Sequence, residues 1–293
     1  MDEIKKTKDS WLNNYKVKKV FSGRKLFKET VYYLKKQKNL DHSKVLFLFN
    51  SFIQKKYPVG YILMHRNIIV GFLGTIYSNK KILNKNFLNC NIHSWMVDGD
   101  HRVVSSILFN KIKKRSLITV LSALPKLSKT FIKLGFMKFT IKYKLVVIKK
   151  FFFKKNTNFN VETNFKKINK VINFENKKIL KSYTNSKFKT FLLKKNKSEE
   201  SCLIIADITT KKKIFKTMNI IYCSNSLFFK KNLSNFYSFI YKNFKILLCG
   251  EFYLKKSESL LNKNLSIIKN KNIYLKGFFP KFKFDLLYSE TDF

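Results

Sequence analysis

The stretch NIHSWMVDGDHRVVSSI, residues 91–107, shows the order of elements that decides the fold. It begins with apolar and aromatic residues that predict the end of a buried strand. Asp98-Gly-Asp100 breaks that strand, and apolar residues at helical spacing follow over 103–114. A strand over 117–122 and a second helix that ends at Gly135 come next. This alternation of strands and helices predicts an α/β fold.

A β-hairpin and a helix precede this stretch, and a long strand follows it. Two runs rich in β-branched and aromatic residues, 59–64 and 68–77, flank a polar turn at 65–67, which is the pattern of a hairpin. An apolar segment over 45–53 predicts a helix before the hairpin. The run over 136–148 predicts a strand after the last helix.

The second half of the chain shows a similar order of elements without a repeat of the sequence. A helix is expected over 227–244, where apolar residues lie at helical spacing. Apolar runs predict strands at 202–208, 214–224, 245–254, 273–278 and 284–288. Strand, strand, helix and strand therefore follow one another in both halves, which predicts two related folds.

A shift in composition near residue 150 separates the two halves. Lys and Asn dominate from 149 to 160, as they do in solvated linkers. We expect two α/β (α+β) domains, 1–150 and 151–293, each with a mixed β-sheet flanked by helices. The three Phe at 151–153 end a strand in this interpretation, although the Lys residues around them would also suit weak contact with a membrane surface.

The net charge of +44 has two competing explanations. A strongly basic chain attracts polyanions, which makes a nucleic-acid-binding protein one alternative. However, Lys, Asn, Ile and Phe dominate the composition, and these are the residues that AT-rich codons encode. Arg occurs only as Arg24, Arg66, Arg102 and Arg115. Because Arg does most of the bidentate reading of phosphates and guanine, codon composition explains the charge better, and nucleic acid is disfavoured as a partner.

The sequence predicts neither a metal site nor a secreted protein. Cys90, Cys202, Cys223 and Cys249 form no CxxC or CxxH pair, so we expect buried thiols in a reducing compartment. The N-terminus is charged and lacks the apolar core of a signal peptide. No apolar run approaches the ~20 residues that span a bilayer. We therefore expect a cytoplasmic protein without a transmembrane segment or a metal cofactor.

Residues 91–136 resemble the GCN5-related N-acetyltransferase (GNAT) superfamily. In that family a strand ends in an aliphatic turn, a loop opens a helix that holds CoA, and a later helix ends in a Gly-Phe segment. The matching residues are Trp95-Met-Val97, Asp98-Gly-Asp-His-Arg102 and Lys133-Leu-Gly-Phe136. The hairpin fits the family's second and third strands, so the resemblance covers about residues 40–148.

The resemblance implies acetyl-CoA or another acyl-CoA as cofactor. A helix N-terminus has free N–H groups and a partial positive charge, which suit the CoA pyrophosphate. The matching positions for the cofactor are Met96, Val97, Arg102, Val103, Val104, Ser105 and Ser106. The second half carries no motif, and we expect a degenerate GNAT-like domain in a tandem arrangement similar to N-myristoyltransferase or the FemX-type enzymes.

Four positions depart from the family pattern. Ser105 and Ile107 stand where glycines let the backbone approach the pyrophosphate. Phe131 replaces the Tyr that protonates the leaving thiolate, and Leu124 replaces an Asn. These departures support a second alternative, a non-catalytic relative that kept the fold and lost the cofactor.

Three residues are catalytic candidates in place of the missing Tyr. His93 lies in the strand before the loop, and a histidine can act as a base near neutral pH. Ser122 ends the next strand, and Tyr143 provides a phenol in the strand after that. The simpler interpretations are a packed strand residue for His93, a turn former for Ser122 and a packed phenol for Tyr143.

The sequence therefore predicts an acyl-CoA-dependent N- or O-acyltransferase. Its partners are an acyl-CoA and an amine or hydroxyl acceptor, and analogy with the FemX-type enzymes suggests sugars or cell-surface precursors. Such an enzyme works by holding the thioester and the acceptor together, while strand amides stabilise the oxyanion.

Overall fold

Most of the chain is described by a computed structural model. The described residues are 14–37, 56–82, 85–112, 116–121, 123–148, 159–183, 188–196, 198–211, 215–253, 259–261 and 266–277. The helix predicted over 45–53 and the strand predicted over 284–288 lie outside these ranges.

Within the described residues, each half of the chain contributes six strands to one sheet. Those of the first half are β1 (Tyr15–Val20), β2 (Gly60–His65), β3 (Ile68–Ile82), β4 (Lys85–Val97), β5 (Leu117–Val120) and β6 (Met137–Val147). Those of the second half are β7 (Phe159–Glu162), β8 (Lys189–Lys195), β9 (Ser201–Lys211), β10 (Phe215–Cys223), β11 (Ile246–Tyr253) and β12 (Ser266–Lys276). The strands predicted within the described ranges are confirmed, and the structure adds β1, β7 and β8.

Short helices connect the strands. The α-helices are α1 (Lys25–Lys35), α2 (Ser128–Lys133), α3 (Phe165–Val171), α4 (Phe174–Ser182), α5 (Ser226–Lys231) and α6 (Leu233–Phe244). Two 3-10 helices cover Gly99–Lys111, which we call the post-β4 segment, and Pro125–Leu127. None of the helices in the described ranges has the length and apolar character needed to cross a bilayer. Within the same ranges, no three His, Cys, Asp or Glu side chains come together as metal ligands would.

The two halves exchange a strand. The sheet has the order β1-β2-β3-β4-β5-β12-β6-β11-β10-β9-β8-β7. β6 leaves the first half to pair with β11, and β12 returns from the second half to pair with β5. β6 and β12 also pair with each other, antiparallel, at the centre of the sheet. Each half is therefore completed by a strand of the other, and the sheet crosses the predicted boundary at residue 150.

The core clusters follow this exchange. Tyr274 of β12 packs in a cluster of first-half residues that includes Leu63 and Leu108. Val146 of β6 packs in a second-half cluster with Phe236 and other residues. Apolar burial therefore stabilises the exchange, because removing either strand would expose core residues of the other half.

The predicted hairpin is formed by β2 and β3. Arg66 and Asn67 have φ angles of 47° and 65°. Positive φ at both central residues is the type I′ conformation, whose twist matches that of the flanking strands. The mixed α/β fold class is confirmed as well, since parallel pairs β4–β5 and β10–β11 lie within an otherwise antiparallel order.

Two helices differ from their predictions. The residues over 103–114 predicted an α-helix, but the chain winds as a 3-10 helix over Gly99–Lys111. A 3-10 helix rises ~2.0 Å per residue against ~1.5 Å in an α-helix, so the same residues reach further. The helix predicted over 227–244 is divided into α5 and α6 at Asn232, whose side-chain amide donates to the Phe228 carbonyl at 2.9 Å.

Candidate functional site

The parallel strands β4 and β5 pair only at the middle of β4 and then diverge. Three residue pairs join them, from Asn89↔Leu117 to Asn91↔Thr119. β4 then continues to Val97 without a strand partner on this side among the described residues. The strands therefore enclose a wedge beyond their last pair, toward their carboxyl ends, which is where open α/β sheets bind ligands.

A β-bulge at Ser94 lies within this wedge. On the other side of β4, His93 pairs with Gly74 and Trp95 pairs with Leu73, which leaves Ser94 as the extra residue. Its φ is 49°, a left-handed conformation that is uncommon for a residue with a side chain. A bulge bends its strand and interrupts the ladder, which accounts for the divergence of β4 from β5.

A cavity of about 180 Å³ lies in the wedge. Its wall is mostly apolar, and its polar side chains are those of Ser94 and of one ionisable residue, His93. The lining residues are Ile92, His93, Ser94, Trp95, Val120, Ala123, Leu124, Leu127 and Phe131. A small apolar pocket with a few polar groups is the usual form of a binding site for a small ligand.

His93 is the ionisable group of the cavity wall. Its side chain is 5% exposed, and its Nδ1 lies 3.0 Å from Ser94 Oγ. Burial lowers the pKa of the imidazole to about 4, so the ring is neutral at pH 7. Gly74 provides the space for the ring, because a Cβ there would lie 2.3 Å from His93 Cε1. The structure thus places the predicted residue in the wedge, and its catalytic role stays a prediction.

The post-β4 segment has a buried side and an outward side. Val104 is buried in the first-half core, and Ile107 packs against the same cluster. Neither residue lines the cavity, so these bulky side chains leave the wedge open. The outward side of the segment carries Arg102, Val103, Ser105 and Ser106.

The start of this segment is held by side chains from around α1. Tyr33 Oη donates to Asp98 Oδ1 at 2.9 Å, and Gln37 Nε2 donates to the same oxygen at 3.4 Å. Burial and the contact with Asp98 raise the pKa of Tyr33, so its phenol keeps the proton that it donates. The Asp98 amide donates to the Val70 carbonyl at 2.9 Å. Asp98 therefore joins α1 and β3 to the start of the post-β4 segment, whereas the sequence predicted only a turn at this position.

Solved structures of other proteins share this arrangement. A GCN5-related N-acetyltransferase from Anabaena variabilis superposes with a TM-score of 0.61 at 10% identity, over 89% of this chain and 72% of that chain. A probable N-acyltransferase from Enterococcus faecalis gives 0.60 at 11% identity, over 89% and 71%. N-myristoyltransferase from Saccharomyces cerevisiae, with bound myristoyl-CoA, gives 0.51 at 10% identity, over 91% and 80%. The chain has a GNAT-like fold.

The likeness to these structures lies in the fold, because the sequence identity to each of them is only about 10%. No family model matches the sequence, and no curated protein matches it. The likeness to N-myristoyltransferase covers 91% of this chain, so it includes both halves. The predicted tandem arrangement of two GNAT-like halves is thereby confirmed.

Met96 and Val97 are the last two residues of β4 and follow the bulge at Ser94. They pair with Phe72 and Gly71 of β3, and their other edge has no β5 partner because that pairing ends at Asn91. Both side chains are half-buried. The structure therefore places these two predicted cofactor residues at the unpaired edge of the wedge.

A phenol that no sequence motif predicted lies behind the aromatic side of the cavity, and it is not among the residues that line the cavity. Phe131 stacks on Tyr274, with ring centroids 5.0 Å apart. Tyr274 lies on β12 opposite Val120 of β5, and it is 1% exposed. Its hydroxyl has no hydrogen-bond partner among the described residues. The exchanged strand thus brings a Tyr next to Phe131, the position that in the GNAT pattern carries the general acid.

Tyr143 lies elsewhere in the GNAT-like fold. Its hydroxyl donates to Asn219 Oδ1 at 2.8 Å, and burial raises the pKa of its phenol to about 12. Tyr143 is on β6, opposite Phe252 of β11, and is not among the residues that line the cavity. Ser122, the third catalytic candidate, lies outside the described residues.

The corresponding wedge of the second half is closed. β10 has a bulge at Ile221 against β9, in the place that corresponds to Ser94. Here, however, β10 and β11 stay paired as far as Ile220↔Glu251, immediately before the bulge. In the first half the pairing ends at Asn91, three residues before the bulge at Ser94, whereas in the second half it ends one residue before the bulge. The two halves therefore share their topology, but the second keeps its parallel strands together.

Proposed function

We propose that the protein is an acyl-CoA-dependent acyltransferase whose acceptor is an amine or a hydroxyl. The observation that carries the proposal is the open wedge between β4 and β5, with the Ser94 bulge and a cavity inside it. An unpaired strand edge presents backbone groups that a narrow, amide-containing ligand can satisfy. The GNAT-like fold supports the same chemistry by analogy.

The residues around the wedge fit three parts of an acyl-CoA. The apolar cavity suits the acyl group, and the open edge at Met96 and Val97 suits the amides of the pantetheine arm. Arg102, Ser105 and Ser106 on the outward side of the post-β4 segment suit the phosphates, because they provide a permanent charge and hydroxyl donors. When bound, acyl-CoA would supply the activated thioester.

The chain's own contribution is positioning and proton transfer. His93 is neutral at pH 7, and with Nδ1 next to Ser94 Oγ its Nε2 can accept a proton from the acceptor. Tyr274, behind Phe131, has a buried hydroxyl without a hydrogen-bond partner among the described residues. We therefore assign His93 as the base and Tyr274 as the acid, while the wedge holds the two reactants together.

The size of the cavity favours a short acyl group. Its volume of about 180 Å³ is below the ~300–1,000 Å³ that is usual for pockets that take drug-sized ligands. Its closed, aromatic side is formed by Trp95 and Phe131, which contact each other with ring centroids 5.7 Å apart. An acetyl group is therefore the preferred substrate over a long fatty acyl group, and sugars or cell-surface precursors are the acceptors that we propose by analogy.

The test is calorimetric titration with acetyl-CoA, with a long-chain acyl-CoA for comparison. Leu124 lines the cavity and is 56% exposed, so Leu124→Trp would fill the cavity without disturbing the core. Leu227, on α5 and 72% exposed, provides the matched control Leu227→Trp. We expect Leu124→Trp to weaken acetyl-CoA binding about tenfold, or ~1.4 kcal/mol, and the control to bind like the wild type. Absence of heat and of a thermal shift at millimolar acetyl-CoA would contradict the proposal.

A non-catalytic relative is the second candidate. Its support is Phe131 in place of the Tyr, and Ser105 and Ile107 in place of loop glycines. Ile107 packs against the core, so only Ser105 can be exchanged without leaving a hole. If the chain lost its cofactor through this loop, the wild type binds no acyl-CoA and Ser105→Gly restores binding. Under the main proposal, both proteins bind.

The net charge of +44 supports a third candidate, a nucleic-acid-binding protein. Such binding weakens linearly on a plot of log affinity against log salt concentration, because phosphate contacts release counterions. Binding that remains absent at low salt would exclude this candidate, whereas a steep salt slope would support it.

A further inference from the structure

The structure brings two of the four cysteines together. Cys202 on β9 and Cys223 at the end of β10 have their Sγ atoms 3.4 Å apart. A disulfide bond is ~2.05 Å long, so the sulfurs need to approach by only about 1.4 Å to form one. The cysteines have no recognisable spacing in the sequence, and only the pairing of the strands makes them neighbours.

The strand register explains this contact. Cys223 lies opposite Ile204, and Cys202 is two residues from Ile204 along β9, so the two side chains point to the same face of the sheet. Diagonal neighbours on two antiparallel strands are ~7–8 Å apart, so these short side chains meet because both turn toward each other, with the sulfurs 3.4 Å apart. Cys202 follows the first residue of β9, and Cys223 is the last residue of β10. At strand ends a small backbone shift disturbs few ladder hydrogen bonds.

The pKa values of the two thiols shift in opposite directions. The S–H of Cys223 and the backbone amides of Ser224 and Asn225 face Cys202, and together they lower the pKa of Cys202 despite its burial. The same contact, together with burial, raises the pKa of Cys223. Cys202 is therefore the group that favours the thiolate, the nucleophilic form, and Cys223 keeps its proton.

The other two cysteines have different surroundings. Cys90 and Cys249 are fully buried, as Cys202 is, but neither contacts another thiol among the described residues, and burial raises the pKa of both, that of Cys90 to about 12. Cys223 is partly exposed, which gives a small oxidant access to the pair. Cys90 and Cys249 are thus internal controls for a reaction that depends on proximity and access.

We propose that Cys202 and Cys223 form a redox-active dithiol that hydrogen peroxide converts into an intramolecular disulfide. The Cys202 thiolate attacks one peroxide oxygen, the O–O bond breaks, and the departing hydroxide takes the proton of Cys223. The Cys223 thiolate then attacks the sulfenic sulfur of Cys202, and a second hydroxide leaves and takes a proton from solvent. The two sulfurs lose two electrons in total, and the peroxide is reduced to two water molecules.

This reaction is independent of acyl transfer. The disulfide joins β9 to β10 near the bulge at Ile221 in the closed second half. A cross-link restricts the unfolded chain, so the oxidised protein unfolds at a higher temperature than the reduced protein.

The experiment uses the full chain, first reduced and then treated with hydrogen peroxide. The protein is then denatured in the presence of N-ethylmaleimide, which blocks the free thiols as they become exposed. The blocked protein is digested and analysed by mass spectrometry. We expect a peptide pair joined through Cys202 and Cys223, two hydrogens lighter than the reduced pair, while Cys90 and Cys249 carry the maleimide. Four alkylated cysteines, or sulfinic acid without a cross-link, would overturn the proposal.

The melting temperature provides a second readout. Peroxide should raise it in the wild type and in the control Cys90→Ala, and should leave it unchanged in Cys223→Ser, whose partly exposed position tolerates the hydroxyl. An equal rise in Cys223→Ser would show that another modification stabilises the protein and would overturn the assignment to this pair.

Discussion

The neutral state of His93 couples the stability of the protein to pH at the scale of a single residue. Its pKa is about 4 in the folded chain, below the ~6.5 of a histidine in an unfolded chain. Between these two values the unfolded chain binds the additional proton, so the free energy of unfolding decreases as the pH falls from about 6.5 to 4. Between pH 7.5 and pH 5 this residue alone accounts for a loss of about 2 kcal/mol.

Replacement of His93 by a residue that does not titrate should remove that loss. We expect His93→Gln to lose about 2 kcal/mol less than the wild type between pH 7.5 and pH 5, measured by urea unfolding at both pH values. An identical loss in both proteins would mean that other groups determine the acid sensitivity.

Tyr274 is the second residue with a specific expected effect. If its hydroxyl acts as the acid, Tyr274→Phe should lower kcat about 100-fold and leave KM nearly unchanged, because the ring still packs against Phe131. The measurement is the release of free CoA from acetyl-CoA. Tyr237→Phe is the matched control, since that buried hydroxyl of the second half also has no described partner. An equal decrease in both variants would assign the effect to packing.

At the scale of elements, a hydrogen bond crosses β11 in the second half and joins β6 to β10. Tyr143 of β6 reaches Asn219 of β10 over Gly250, where an added Cβ would lie 2.5 Å from the Tyr143 hydroxyl and 2.4 Å from Asn219 Oδ1. Gly250→Ala should therefore break this bond and lower the free energy of unfolding by about 1–3 kcal/mol. Gly99→Ala, where a Cβ meets nothing within 4 Å, should change it little in the same urea titration.

The closed and open wedges also differ in what their elements can do. In the second half, the backbone groups of the parallel strands β10 and β11 stay paired with each other up to the bulge. In the first half, the same groups of β4 remain at an open edge beside the cavity. An open strand edge in one half and a longer parallel pairing in the other follow from a difference of two strand pairs.

At the scale of the whole molecule, the exchange of β6 and β12 makes the halves depend on each other. The division into 1–150 and 151–293 stays a prediction, and each such fragment would lack the strand that completes its sheet. We expect neither fragment alone to show a cooperative thermal transition, because unpaired strand edges and core residues would be exposed. The full chain should unfold in one transition by circular dichroism. A cooperative transition of fragment 1–150 would contradict this expectation.

The sequence by itself determined the local elements of the protein. The hairpin, the strand before Asp98 and the left-handed end of the helix at Gly135, with φ of 80°, were predictable because each depends on residue types and spacing within one short segment. His93 was also identified in the correct strand, next to the segment that resembles the GNAT pattern.

Only the tertiary structure decided which of these elements make a site. The Ser94 bulge, the open wedge and the closed second half depend on strand register, which is set by packing between distant segments and not by local propensity. The same is true of Tyr274 beside Phe131 and of the thiol pair Cys202–Cys223, whose members meet only after the sheet has formed. Apolar burial tolerates many sequences, so a chain can keep this architecture at about 10% identity while the residues at its functional positions change.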